Sequence, residues 1–145
     1  MFLRFNYEIS LYKDTQKDPT KKWISRPLIP VIIFGPKSNI KVLALIDSGA
    51  DKCLFNAQIG REIGLEVEKG KPETFMGIEG GRLVAYIHKI KLQVVGIENI
   101  TEIEAGFADS SAVDAILGQE GFFDAFKIKF EKDHNIIEII PSKRH

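Results

Sequence analysis

The chain has 145 residues, 20 basic and 20 acidic side chains, and 44% hydrophobic residues. That is one ordinary domain, long enough to bury roughly 70% of its unfolded surface, and its formal net charge of zero gives no support to nucleic-acid or anionic-membrane binding, which need excess Lys and Arg. No run approaches the ~18 apolar residues of a membrane span, the lone Cys53 excludes an intrachain disulfide, and Arg4, Asn6 and Glu8 interrupt what could have been a signal peptide, so a cytoplasmic location is expected.

Leu3, Phe5, Tyr7, Ile9 and Leu11 alternate with more polar residues, which predicts a strand over 1–12 with one buried face. The charged stretch 14–22 reads as a loop. Residues 27–35 read as a strand that Pro30 pushes toward an edge. After turn chemistry at 35–39, residues 40–47 form an almost continuous apolar strand, expected to be buried on both faces and to pair with 27–34 as a hairpin. Residues 52–55 make a short strand. Asn56 is placed to cap a brief helix with Ile59 and Ile63 on one side. Residues 77–81 form a glycine-dense turn, followed by β-rich sequence at 82–95 and 99–109 and an apolar run ending in Gly118. Residues 119–126 hold one short helix. The segments 126–133 and 135–140 form a last hairpin. Many short strands with Gly and Asn turns predict an all-β sandwich or barrel. The organisation read from this is an N-terminal extension over 1–25, a main domain over 26–140 and a polar tail over 141–145.

Asp47 stands out because a carboxylate ends the apolar run and Ser48, Gly49 and Ala50 follow it. An Asp-Ser-Gly-Ala turn behind a buried strand is what an aspartic-protease site needs. The strand holds the acid rigidly, the serine hydroxyl can fix the turn, and the glycine removes a side chain where a second carboxylate or a substrate must come close. The bland reading is an Asx or Ser turn at a strand end.

With its flanks, the chain resembles the retropepsins, the retroviral-type aspartic proteases. The resemblance starts at RPLIPVIIFG, passes through LALIDSGADKCLF and MGIEGG, and ends with AILG followed by GFF, in the family's order over roughly residues 26 to 130. It implies a closed β-barrel of the acid-protease type with one or two short helices. It also implies an aspartic endopeptidase that needs no cofactor or metal and hydrolyses peptide bonds with a water activated by two carboxylates. This chain has a single Asp-Ser-Gly, so the second carboxylate must come from the Asp47 of another copy, and a homodimer is implied. By resemblance Ser48 locks the two catalytic loops together and Gly49 accepts from, or lies against, the substrate backbone. Ala50 forms the floor and Asp51 binds substrate main chain. Gly77, Ile78, Glu79 and Gly80 belong to a flap that closes over an extended peptide. Glu79 departs from the apolar or small residues usual at that tip, and QEGFF lacks the basic residue that often follows the second glycine. The alternative is a non-catalytic domain of the same fold used for dimerisation or peptide binding.

Other chemistry-bearing residues read more simply. Asp47 with Asp51 supplies too few ligands for a Ca²⁺ site. Cys53 has no histidine near it in sequence and reads as a small buried hydrophobe. The histidines have no metal-ligand spacing, and Phe122, Phe123, Phe126 and Phe130 read as core.

Overall fold

The computed structural model describes residues 2–11, 23–76 and 80–142. Among the described residues twelve strands carry the fold: β1 (Leu3–Asn6), β2 (Glu8–Leu11), β3 (Trp23–Arg26), β4 (Leu28–Phe34), β5 (Asn39–Ile46), β6 (Cys53–Asn56), β7 (Lys71–Met76), β8 (Arg82–Val94), β9 (Ile100–Ala108), β10 (Ala115–Leu117), β11 (Phe126–Glu131) and β12 (Ile136–Pro141), with two short helices, α1 (Ala57–Glu62) and α2 (Phe122–Ala125). In hydrogen-bonding order β4, β5, β10, β6, β9 and β8 follow one another and β8 returns to β4, so six strands close into a barrel; β7 adds to β8 outside it. Closure removes the exposed sheet edges that an open sheet would present.

Alternation along these strands sorts side chains into inside and outside. Ile29, Val31 and Ile33 of β4, Ala44 and Ile46 of β5, Leu92 and Val94 of β8, and Phe55, Phe107 and Leu117 fill the interior. β5 is therefore not covered on both faces: its even-numbered residues pack toward the core and Leu43 is 46% exposed, because a barrel strand has only one inner face. Nor is β4 an edge strand. It pairs with β5 along its length and with β8 from Val31 onward. Pro30 is tolerated because it precedes that second ladder, where its carbonyl accepts from the Val95 N–H.

The expected strand over 1–12 divides at Tyr7. β1 pairs with β12, which pairs with β11, and Leu3, Phe5 and Tyr7 pack with the core. β2 pairs instead with β3 as a separate two-stranded ribbon, so Ile9, in phase with the buried residues, is 69% exposed. The last hairpin forms as the sequence reading has it, turning at Asn135, which adopts a left-handed φ of 57°. Helix α1 forms under its predicted cap: the Asn56 side chain accepts from the Gln58 N–H. The strand β7 was not legible as an element in advance.

Candidate active site

Asp47 leaves the end of β5, and the turn it begins is docked onto β10. β5 and β10 run parallel, with Leu45 opposite Ile116 and Ile46 opposite Leu117. The Asp47 N–H donates to the Leu117 carbonyl at 2.9 Å. Inside the turn, the Ala50 N–H donates to the Asp47 carbonyl at 3.2 Å and the Gly49 N–H donates to Asp47 Oδ1 at 2.9 Å. One oxygen of the carboxylate is thus held by backbone. Asp47 is half-buried; Ser48 and Gly49 are exposed.

Beyond β10 the chain runs beside the residues that follow the turn. The Gln119 and Glu120 N–H groups donate to the Ala50 and Asp51 carbonyls, each at 2.8 Å, and Lys52 bridges Glu120 in parallel register. This close approach requires glycine at 118, where a Cβ would stand 2.4 Å from the Lys52 carbonyl oxygen and 2.7 Å from that of Ala50. Cys53 lies beneath. Its Sγ accepts from the Gly118 N–H at 3.4 Å, and burial pushes its thiol pKa up, which suits the inert packing role expected of it.

Beside the turn opens a cleft of about 880 Å³ lined by Gly49, Ala50 and Asp51, by Glu73 to Met76 of β7, by Gly81, Arg82 and Leu83 at the start of β8, and by Ser110, Ala112, Val113 and Ile116. Asp47 is not among the lining residues, but Gly49, to which it is bonded, is. Leu54, Phe75, Leu83, Val113 and Ile116 on the cleft wall belong to a second hydrophobic cluster, separate from the barrel core, that the buried Ala85 and Ala108 complete. Lys52 Nζ meets Glu73 Oε1 at 3.1 Å and Glu120 Oε2 at 3.9 Å; the hydrogen bond to Glu73 raises the lysine pKa.

The sequence-predicted residues therefore fall into two groups. Asp47 to Asp51 are brought together in one turn beside the cleft. Gly80 adopts a φ of 79° in the connection between β7 and β8, whose pairing reaches Met76 opposite Arg82; Gly77, Ile78 and Glu79 lie outside the described residues. Sequence reasoning missed Lys52, Glu73 and Gln119. The signal for Gln119 was its place directly after the second glycine; Glu73 lies in the strand not recognised.

The sequence pattern of the family described as Aspartyl protease matches residues 29–120. The chain belongs to the aspartyl protease family. Its fold is that of the retropepsin-like members: the crystal structure of a retropepsin-like aspartic protease from Rickettsia conorii superposes with a TM-score of 0.58 at 17% identity, covering 97% of this chain and 98% of that one. The EIAV protease complexed with the inhibitor HBY-793 is 21% identical over 65% of this chain and 82% of that chain, with a TM-score of 0.47. No curated protein matches the chain by sequence. In this aspartyl protease family member the matched segment spans the barrel from β4 to the residues after β10 and contains the whole Asp47 turn.

Proposed function

We propose that the chain is an aspartic endopeptidase acting as a homodimer, in which Asp47 and the Asp47 of a second copy activate a water molecule. The observation that carries this reading is the single Asp-Ser-Gly-Ala turn, tied to β10 through Asp47 and opening onto an apolar cleft. Two carboxylates about 3 Å apart cannot both ionise easily, so they share one proton. The ionised member takes a proton from water, whose oxygen attacks the peptide carbonyl carbon. The neutral member donates to the carbonyl oxygen. Collapse of the tetrahedral diol breaks the C–N bond, the amine leaves with a proton, and no covalent enzyme intermediate forms.

The peptide lies extended along Gly49, Ala50 and Asp51, and the segment of Gly77, Ile78, Glu79 and Gly80 acts as a flap above it. Phe75, Leu83, Val113 and Ile116 receive apolar side chains. The test compares the protein with Asp47→Asn on a mixed peptide library from mildly acidic to neutral pH, with sedimentation run on the same samples. Cleavage by wild type that the substitution abolishes, in a dimeric sample, is the expected result. A strictly monomeric sample that still cleaves overturns the shared dyad; an intact dimer that never cleaves favours a non-catalytic peptide-binding domain.

A further inference from the structure

One wall of the cleft is the loop between β9 and β10, residues 109–114, which contributes Ser110, Ala112 and Val113. Within itself this loop has only short-range bonds: the Val113 N–H donates to the Ser110 carbonyl at 3.1 Å and the Ala112 N–H to Ser110 Oγ at 3.2 Å. Beyond the Arg61–Asp109 pair at its first residue, the loop's hydrogen bonds to the rest of the fold centre on Asn56. The Asn56 N–H donates to the Asp114 carbonyl at 2.8 Å. Its Nδ2 donates to the carbonyls of Ser110 and Val113, both at 3.0 Å. Its Oδ1 faces the other way and accepts from Gln58 N–H at 3.0 Å, capping α1.

The chemistry of that side chain is selective. Capping alone is served as well by Asp or Ser. Holding two carbonyls needs two N–H donors on one short side chain, while the cap needs an acceptor on the same group. Asparagine has that inventory; aspartate lacks the donors and serine has a single one. A residue chosen only to start a helix would not need it.

We propose that Asn56 is a positioning residue that sets the shape of the cleft's 109–114 wall, and with it the preference for peptide side chains packed against Val113, by clamping the loop to the start of α1. The inference rests on the protease reading. Asn56 touches no substrate itself and acts through Ser110 and Val113.

The full-length protein is compared with Asn56→Asp and Asn56→Ser, both of which retain a capping oxygen and remove the clamp. Three measurements are made: thermal unfolding, amide hydrogen exchange at Val113, and steady-state cleavage with library profiling. Expected are melting lowered by a few degrees in Asn56→Ser and by more in Asn56→Asp, whose carboxylate faces the two carbonyls, faster exchange at Val113, and a KM raised about tenfold with kcat within about twofold. The preference at the positions flanking the scissile bond is expected to broaden. A merely structural role for Asn56 would move melting and leave the cleavage profile alone. If wild type cleaves and either folded variant keeps its KM, profile and Val113 protection, the inference falls and the protease reading stands. If wild type cleaves nothing, both fall.

Discussion

Gln119 reaches back to the turn that carries Asp47: its Nε2 donates to the Ser48 carbonyl at 2.8 Å, while its backbone N–H donates to the Ala50 carbonyl at 2.8 Å. Together with the bond from Asp47 N–H to the Leu117 carbonyl, this holds the turn from the β10 side at its start, middle and end. The conformation of the acid is set by residues 70 positions further along the chain as much as by its own strand.

Gln119→Ala removes the side-chain brace and leaves both backbone bonds. Because Gln119 is exposed, stability should stay within about 0.5 kcal/mol of wild type. Turnover should fall roughly tenfold, since small misplacements of a reacting group are costly. Gln119→Glu should be worse, because it turns a carboxylate oxygen toward the Ser48 carbonyl. Thermal melts beside steady-state kinetics decide this; an unchanged kcat in Gln119→Ala would mean the turn holds itself.

Gly118→Ala and Gly81→Ala form a matched pair. At 118 the new methyl meets three backbone atoms of Ala50 and Lys52 between 2.4 and 2.7 Å, and backbone cannot step aside as a side-chain end can. The cost should be about 1–3 kcal/mol, seen as a melting temperature lowered by roughly 3–12 °C in a domain of this size. At 81 no atom of the described residues lies within 4 Å of the added Cβ, so melting should be nearly unchanged. Equal melting of the two variants would contradict the packing described between β10 and the turn.

What could be read from the residues follows the range of the interactions. Alternation announced the strand at the start of the chain, apolar runs between turn residues announced others, the Asn56 side chain announced α1, and the Asp-Ser-Gly-Ala and Ile-Leu-Gly segments marked the turn and the strand it docks on. The partners were hidden. Gln119 and Ser48 are 71 residues apart and Asn56 and Val113 are 57 apart, so only the parallel β5–β10 pairing brings the first pair together. β7 was missed because Lys71, Pro72, Thr74 and Met76, four of its six residues, are exposed and three of the six are polar, so no apolar run marks it. Leu43 misled because composition shows that a run is apolar but not which side of a barrel wall is covered.

Leu54 and Phe55 are adjacent on β6 and face opposite ways, as strand geometry requires. Phe55 is fully buried in the barrel core and packs on Phe107 with ring centroids 5.7 Å apart. Leu54 lines the cleft. Phe55→Ala should therefore cost about 3–5 kcal/mol of stability. Leu54→Ala should cost less, because its cluster is small and open to the cleft, and should weaken binding of apolar peptides. Denaturant unfolding and KM measured on both variants separate the two. A Leu54→Ala protein with normal KM for every apolar peptide would remove Leu54 from the substrate site.

Asp109 begins the cleft-wall loop and is paired with Arg61, which donates from Nη1 and Nη2 to its two carboxylate oxygens, each at 2.8 Å. The same guanidinium bonds Glu68. These hydrogen bonds hold both carboxyls below their ordinary pKa. A carboxyl whose pKa is lower folded than unfolded stabilises the fold fully above the unfolded value, near 3.9 for Asp, and loses that contribution as pH falls through the folded value. Asp109→Asn lacks the contribution at every pH. Wild type should therefore melt above Asp109→Asn at pH 6, with the gap closing as pH is lowered below about 4. The gap should be a few degrees at most, because both partners are solvent-exposed, and 1 M salt should shrink it at pH 6 by cutting the screening length to about 3 Å. Because Arg61 keeps Glu68 in the variant, some acid sensitivity should persist in it. Melting curves at pH 3 and pH 6 with and without salt give the answer; a gap of the same size at both pH values would show that the Arg61–Asp109 pair does not secure this end of the loop.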